Sequence, residues 1–212
     1  NAGHRRYGAA LQRGFTKAKG QIVGFHDADG TFKTSQFVEM LDVLLSEDLD
    51  MVVGKRFSNR NSRMPLIRKF GNNFFALILN SLTHRKIVDC ASGLRILRKD
   101  AYKRLQPLPR GMDFIICMTI KSIFENLRFK EVPINYLERI GKSKLSVIKD
   151  GIQFLTSILY IVRNYSPLTI FGIIGIFSLF IGFILGIKPT YSWFLAGRTL
   201  NDEYIYQVML IL

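Results

Sequence analysis

Cysteine and acidic residues are both scarce in this sequence. The 212 residues include only two cysteines, Cys90 and Cys117. Neither has the spacing of a metal site or a neighbouring histidine, so we expect reduced structural thiols and no disulfide framework or zinc centre. Asp and Glu number 16 against 30 Lys and Arg, which gives a net charge of +14. The length suffices for one sizeable domain with further elements attached.

Charge is absent altogether from the segment Leu168–Ile187. An apolar run of about 20 residues matches the thickness of the hydrocarbon core of a bilayer, which predicts a transmembrane helix over residues 167–187. A buried core helix is the alternative, although such helices rarely stay uncharged on every face. We expect a polar connection at Lys188–Glu203 and the start of a second, incomplete span at Tyr204–Leu212. Gly182 and Gly186 could pack a second copy of the span in a homo-oligomer.

The positive charge precedes this span. After Arg163 the charged residues of the sequence are Lys188, Arg198, Asp202 and Glu203, whose charges cancel. The whole excess of positive charge therefore lies before the span. Lys and Arg beside a span mark the cytoplasmic side, which predicts an integral membrane protein with a cytoplasmic domain. Such a domain would attract membrane lipids and phosphorylated substrates. Nucleic-acid binding is the competing explanation, and attachment to a bilayer disfavours it.

Residues 144–166 have the pattern of an amphipathic helix. Its position before the span predicts that the helix lies in the membrane interface, and packing against the soluble domain is the alternative. The apolar stripe recurs at spacings of three and four and comprises Leu145, Ile148, Ile152, Leu155, Leu159 and Val162.

Residues 1–143 alternate between strand and helix patterns. Two short apolar runs, Gln21–His26 and Asp50–Lys55, flank a helix that Thr34 or Ser35 can cap, and this order indicates a mostly parallel sheet covered by helices. Pro133 favours an edge position for the last strand. The other predicted elements are helices at 4–19, 65–83 and 113–126 and strands at 93–97 and 128–136.

Two carboxylates follow the first of these strands. Asp27 and Asp29 flank Ala28 at its carboxyl end, where open parallel sheets bind ligands. Because alternate residues of a strand point the same way, both side chains could converge on one divalent cation that neutralises a diphosphate. A solvated surface turn is the alternative for an isolated Asp-x-Asp.

Further motifs recur in a fixed order. The chain resembles inverting family-two glycosyltransferases with a GT-A fold, in particular the enzymes that transfer mannose or glucose to dolichyl or undecaprenyl phosphate. The likeness covers residues 1–165, and by this resemblance we expect the nucleotide-binding strands of the family, which hold the base and ribose, to precede residue 1. The matching segments are Gly8-Ala9-Ala10, Ala18–Thr31, Val53–Arg56, Arg68, Asp89–Arg95, Glu131–Ile134 and Arg139–Lys144.

The resemblance implies a role for each acidic residue. Asp29 is the principal ligand of Mg²⁺ or Mn²⁺, and Asp27 beside it orients the metal or the nucleotide. Asp89 matches an acidic position that assists at the acceptor phosphate; capping, or pairing with Arg95, is its structural alternative. Cys117 stands where many relatives have Glu, which removes a carboxylate.

Basic and polar residues of the same motifs are expected to bind phosphate, because an acceptor phosphate can approach a donor diphosphate only if cations offset the repulsion. A solvated surface charge is the alternative for each. The resemblance assigns Arg56, Arg68 and Arg95 to the donor side and Arg139, Ser143, Lys144 and Asn72 to the acceptor side.

The sequence therefore predicts an inverting hexosyltransferase. It would transfer a sugar from a nucleotide diphosphate sugar to a polyprenyl phosphate at the cytoplasmic face of the membrane. Two alternatives stay open: a transferase of the same fold with a hydroxyl acceptor on another lipid or a polysaccharide, and a non-catalytic membrane scaffold.

Overall fold

The computed structural model describes residues 7–56, 64–83, 85–141 and 146–196, and the chain divides into two units, Asn1–Ile161 and Val162–Leu212. Over the described residues the helices are α1 (Tyr7–Lys17), α2 (Gln36–Ser46), α3 (Leu66–Thr83), α4 (Lys99–Arg104), α5 (Phe114–Phe124), α6 (Val147–Tyr165) and α7 (Pro167–Ala196). The strands are β1 (Ile22–Phe25), β2 (Met51–Lys55), β3 (Arg95–Arg98) and β4 (Phe129–Pro133).

The sheet is mixed, with the strand order β1-β3-β2-β4. β3 pairs antiparallel with both β1 and β2, whereas β2 and β4 pair parallel. The expectation of a mostly parallel sheet is corrected in this respect: β1 and β2 do run in the same direction, but β3 lies between them. As a consequence, the carboxyl ends of β1, β2 and β4 and the amino end of β3 meet at one edge.

One face of the sheet packs against α2. Met40 and Leu44 of this helix contact a cluster that includes Val52 of β2 and Ile96 of β3. These strand residues point to the same face because side chains alternate along a strand. All four side chains are buried, so apolar burial fixes α2 on the sheet.

The opposite face is covered by α1, α4 and α5. Phe15 of α1 stacks on Tyr102 of α4 with ring centroids 4.2 Å apart, and on Phe114 of α5 at 6.5 Å. Its edge also meets Phe25 of β1 at 5.6 Å. This aromatic cluster fixes the last turn of α1 close to the end of β1.

β4 lies at the edge of the described sheet, as Pro133 predicted. The strand is shorter than its apolar pattern indicated, since it ends at Pro133. Ile134 and Tyr136 are nevertheless buried, in the cluster beneath α2. The apolar pattern therefore extends past the end of the strand because residues after Pro133 are also buried. Periodicity alone does not distinguish such buried residues from a strand.

α6 has apolar residues on more than one side. Ile148 and Ile152, from the predicted stripe, are exposed by 77% and 60%. Phe154 and Ile158, which lie outside that stripe, are buried in the first unit. The helix thus packs on the domain mainly through residues outside the predicted stripe, of which Val162 alone is fully buried among the described members.

α7 is the one helix among the described residues that is long and apolar enough to cross a membrane. The window Phe171–Lys188 has a mean hydropathy of 2.2. The helix continues past the predicted end at Ile187 and reaches Ala196. Thirty residues of helix measure about 45 Å, which exceeds the hydrocarbon thickness of a bilayer. Residues 197–203 of the predicted connection and Tyr204–Leu212 fall outside the described ranges.

Candidate functional site

The candidate site lies at the sheet edge where β1, β2 and β4 end and β3 begins. β1 continues into residues Asp27–Gly30, which we call the carboxylate turn. Gly30 has a φ of +77°, a left-handed conformation that glycine adopts without strain. The turn brings both of its carboxylates to the sheet edge that the motif spacing predicted.

Asp27 lies in a partly buried position. The hydroxyl of Tyr7 donates a hydrogen bond to its Oδ1, 2.8 Å away. Burial raises the pKa of Asp27, the hydrogen bond from Tyr7 lowers it, and the negative charge of Asp29 raises it. The negative charge of Asp29 thus acts on Asp27, and a cation bound by both carboxylates would offset this repulsion.

Asp29 is bound from two directions. Its Oδ1 accepts hydrogen bonds from the backbone N and the hydroxyl of Thr31, at 3.2 and 2.5 Å. Its Oδ2 forms a salt bridge with Nη2 of Arg139 at 2.6 Å. The segment after β4 thus folds over the carboxylate turn, where the backbone N of Ile140 also donates to the carbonyl of Asp29 at 2.9 Å.

The donor set of this turn fits a divalent cation only in combination with a ligand. Asp27 and Asp29 supply hard carboxylate oxygens of the kind that Mg²⁺ and Mn²⁺ bind. Within the described ranges, however, no group of three or more His, Cys, Asp or Glu residues could hold a metal ion. Mg²⁺ is usually held by one or two carboxylates together with substrate phosphates. The two carboxylates match that pattern.

Asp89 lies deeper and is paired with Arg56. Nε and Nη2 of Arg56 donate to Oδ2 and Oδ1 of Asp89 at 2.8 and 2.7 Å, and the backbone N of Arg56 adds a third bond at 3.0 Å. The Asp89 side chain has no exposed surface and that of Arg56 only 10%. Burial alone would lower the pKa of Arg56, but the charge and hydrogen bonds of Asp89 raise it overall.

The partner of Asp89 therefore differs from the predicted alternative, Arg95. That arginine is fully buried on the α5 side of β3. Its guanidinium donates to the hydroxyl of Thr119 at 2.7 Å and to the carbonyls of Ser92 and Cys90 at 3.1 and 3.2 Å. Burial lowers the pKa of Arg95 to about 10. The structure thus places Arg95 beneath the segment 89–93 and away from solvent, where it supports the backbone.

Asn72 and Glu131 hold the same segment from other sides. The amide of Asn72 donates to the carbonyl of Val88 at 2.6 Å. A carboxylate oxygen of Glu131 accepts from the backbone N of Asp89 at 2.7 Å. Burial raises the pKa of Glu131, and these backbone hydrogen bonds lower it. Asn72, which was predicted to bind the acceptor, is only 5% exposed, and its amide group donates this hydrogen bond to the backbone.

The remaining predicted residues divide into two groups. Arg68 lies on α3, one turn before Asn72, and is partly exposed. Ser143 and Lys144 lie outside the described residues. The structure therefore brings Asp27, Asp29 and Arg139 together, and Arg56, which is paired with Asp89, is near enough for its charge to lower the pKa of Asp27.

Two contacts of the site went unpredicted. Tyr7 lies in the helix predicted over residues 4–19, and its hydroxyl reaches Asp27. Gly93 belongs to a recognised motif, but its role follows only from the structure: a methyl group on its Cα would overlap the carboxylate of Asp27. In the sequence, these contacts were indicated only by the phenolic hydroxyl of Tyr7 and by the glycine at position 93 within an ordered motif.

Apolar side chains are exposed beside the site. α3 presents Leu66, Ile67 and Phe70 to solvent, with exposures of 82%, 61% and 74%. α3 and α6 are neighbours, since the rings of Phe75 and Phe154 meet at 5.7 Å. Exposed apolar surface on two adjacent helices is typical of a protein or membrane contact.

Comparison with known proteins identifies relatives of the chain. The family model described as Glycosyl transferase family 2 matches residues 1–106. A low-salt glycan biosynthesis hexosyltransferase of Haloferax volcanii is 28% identical over 179 residues, which cover 82% of this chain and 43% of that protein. A dolichyl-phosphate hexose transferase of the same organism is 26% identical over 145 residues, or 68% of this chain and 63% of that protein. The chain thus spans about half the length of these curated relatives.

A solved structure shares the fold. Glucosyl-3-phosphoglycerate synthase from Mycobacterium tuberculosis, crystallised with Mn²⁺, UDP-glucose and glycerol 3-phosphate, superposes with a TM-score of 0.58. The match covers 73% of this chain and 54% of that one at 18% sequence identity. Together with the family match, this likeness confirms the predicted family and the α/β fold.

Proposed function

The chain belongs to glycosyl transferase family 2, and on this premise we propose that the protein transfers a hexose from a nucleotide diphosphate sugar to a polyprenyl phosphate. The observation that carries the proposal is the carboxylate turn with Arg139 on Asp29. It combines a place for a cation-bound diphosphate with a basic side chain that can meet a second phosphate. The relative named as a dolichyl-phosphate hexose transferase supports this acceptor class.

On the donor side, Asp27 and Asp29 would hold the divalent cation. When bound, the cation neutralises the diphosphate and stabilises it as a leaving group. Tyr7 and Thr31 orient the two carboxylates through the hydrogen bonds described above. In the inverting reaction that we propose, an acceptor oxygen attacks the anomeric carbon from the side opposite the departing diphosphate.

On the acceptor side, the buried groups favour a phosphate over a hydroxyl. A hydroxyl acceptor needs a general base, whereas a phosphate is already ionised near neutral pH. Asp89 is enclosed by Arg56, so its carboxylate is engaged in the pair. At Cys117, where the resemblance expects a carboxylate, burial raises the thiol pKa to about 12, which keeps this side chain neutral and unsuited to the role of base.

The proposed reaction is tested with the complete protein in its membrane. Membranes containing the protein are incubated with a panel of labelled nucleotide sugars and with polyprenyl phosphates of several lengths, and lipid-linked sugar is extracted. We expect one nucleotide sugar to label a polyprenyl phosphate in the presence of Mg²⁺ or Mn²⁺. Labelling only of lipid or polysaccharide hydroxyl groups would refute the acceptor assignment.

We propose that Arg139 and Lys144 bind the acceptor phosphate. Arg139 does so after its guanidinium leaves Asp29. Arg139→Ala should raise the apparent KM for polyprenyl phosphate by about ten- to a hundredfold, since a charge-assisted contact contributes roughly 1.5–3 kcal/mol. Nucleotide sugar affinity should change little, because the two carboxylates stay in place. Kinetic titration of each substrate separately measures both quantities.

The matched control for this variant is Arg128→Ala. Arg128 precedes β4, at the opposite edge of the sheet from the carboxylate turn, and its guanidinium contacts Asp48 and Asp50. We expect wild-type kinetics for the control. If Arg139→Ala weakened the nucleotide sugar and left the lipid dependence unchanged, Arg139 would belong to the donor site instead.

We propose further that α7 anchors the protein in the membrane, with the domain on the cytoplasmic side and α6 in the interface. The exposed Ile148 and Ile152 of α6 and the apolar residues of α3 support this placement. Arg68, Lys69 and Lys149 on the same two helices would meet anionic headgroups.

The interface placement predicts an acceptor-dependent defect. Ile148→Asp combined with Ile152→Asp should raise the KM for long-chain polyprenyl phosphate in vesicles by roughly tenfold, because each apolar side chain withdrawn from the lipid costs about 1.5–3 kcal/mol and part of this is offset by the α7 anchor. The control is Leu45→Asp, since Leu45 lies on α2 and its side chain is 52% exposed. An equal defect with a short, water-soluble acceptor would instead indicate damage to the active site.

A further inference from the structure

The orientation of the Asp27 carboxylate is determined by contacts on two sides. On one side the hydroxyl of Tyr7 donates to Oδ1 at 2.8 Å. On the other side the carboxylate lies against Gly93, so closely that any side chain at that position would overlap it. A hydrogen bond thus holds the carboxylate in an orientation for which only glycine at position 93 leaves room.

Tyr7 is itself held rigidly at the start of α1. The backbone N of Gly8 donates to the carbonyl of Gly111 at 3.2 Å, and that of Ala9 to the carbonyl of Arg110 at 3.1 Å. Gly8 approaches this backbone so closely that a Cβ there would overlap it. These bonds dock the first turn of α1 on the segment before α5, which fixes the origin of the tyrosine side chain.

The two carboxylates of the turn differ in the kind of partner they have. Asp29 pairs with Arg139, a cation that a bound metal ion would have to displace from the same oxygen. Asp27 accepts a hydrogen bond from a neutral donor, which leaves the carboxylate its negative charge, and Arg56 and Arg139 are near enough to lower its pKa. Because a carboxylate has about four acceptor sites on its two oxygens, one hydrogen bond from a neutral donor leaves acceptor capacity for a cation.

We propose that Tyr7 is a positioning residue of the metal site, whose hydroxyl, together with the bare Cα of Gly93, aims the Asp27 carboxylate at the divalent cation. The inference rests on the proposed function only in that Asp27 serves a metal. Tyr7 acts through Asp27 and touches neither substrate. It is a preorganising contact of the type that second-sphere hydrogen bonds provide for ligating carboxylates.

The test measures Mn²⁺ binding directly. The complete protein, purified in detergent, is titrated with Mn²⁺ at a fixed, saturating concentration of UDP, which supplies the phosphate ligands, and protein-bound Mn²⁺ is followed by electron paramagnetic resonance. Tyr7→Phe, which removes only the hydroxyl, should raise the Kd for Mn²⁺ about three- to tenfold. The control is Tyr102→Phe, which removes a hydroxyl from another buried tyrosine, one whose ring stacks on Phe15; its Kd should equal that of the wild type.

A double-mutant cycle separates positioning from general loss of structure. In an Asp27→Asn background, Tyr7→Phe should have no further effect on the Mn²⁺ Kd, because the contact it removes no longer orients a charged ligand. A wild-type Kd for Tyr7→Phe, or an equal loss in both backgrounds, overturns the inference. So does a wild-type Kd for Asp27→Asn.

Gly93→Ala provides a second route to the same carboxylate. The added methyl group should displace Asp27 from the other side and weaken Mn²⁺ binding, with Tyr7→Phe carrying the test if this variant does not fold. Failure of the wild-type protein to glycosylate any polyprenyl phosphate would refute the proposed function. The pattern of Mn²⁺ affinities would still decide the role of Tyr7 by itself.

Discussion

Asp29→Asn is expected to lower kcat by about 10²–10³-fold at saturating substrates. The Oδ2 of Asp29 already binds a cationic group, the guanidinium of Arg139. Replacing the carboxylate by an amide removes one negative charge from the cation site, so the diphosphate loses part of the stabilisation that a metal supplies as it departs. Losing one such electrostatic contact in a transition state costs about this factor.

The measurement is a Mg²⁺ and Mn²⁺ titration of the transfer rate. In the variant the half-saturating metal concentration should rise together with the fall in kcat. Asp48→Asn is the matched control, since Asp48 is an exposed carboxylate that pairs with arginines far from the turn. An Asp29→Asn enzyme with wild-type rates across the titration would show that the turn does not hold the metal.

Asp89→Ala is expected to destabilise the protein by about 3–5 kcal/mol. The substitution would leave the Arg56 guanidinium buried without its counter-ion, and breaking a buried ion pair by removing one partner has a cost of this size. Arg56 loses three hydrogen bonds at once, two from its side chain and one from its backbone N. Thermal unfolding of the complete protein in detergent should show a drop in Tm of about 10 °C.

A paired substitution distinguishes stability from chemistry. Arg56→Met combined with Asp89→Leu should recover most of the lost Tm, because apolar residues of similar volume can replace a buried ion pair. If transfer activity returns with stability, the pair acts through the fold. If stability returns and activity does not, the charges themselves contribute to the reaction. Asp89→Ala with a wild-type Tm would contradict the burial argument.

The basic residues show how much the order of motifs in the sequence could predict about the site. The sequence assigned Arg56, Arg95 and Arg139 alike to phosphate, because each is a cation in an ordered motif. The structure separates them: Arg56 lies on Asp89, Arg95 lies fully buried against Thr119, and Arg139 lies on Asp29. The alternation of side chains along β3 directs Arg95 toward α5, but the sequence does not show that the hydroxyl of Thr119 lies within hydrogen-bond distance of it.

The sheet gives a second example. Local patterns identified β1, α2 and β2 and the common direction of the two strands, since a strand, a helix and a strand in succession favour it. The insertion of β3 between them depends on pairings between residues more than 40 positions apart, such as Met51 with Leu97. Periodicity contains no information on such pairings.

The sequence by itself determined the apolar span, the amphipathic pattern before it, the position of the carboxylate turn and the family to which the ordered motifs belong. Each of these follows from spacing along the chain, where helix and strand periods act over a few residues. Only the tertiary structure decided which partner each charged side chain takes. Arg56 and Asp89 lie 33 residues apart, and Tyr7 and Asp27 lie 20 apart. Their contacts arise from the packing of α1, α5 and the sheet, because a buried charge must find a partner wherever the fold supplies one.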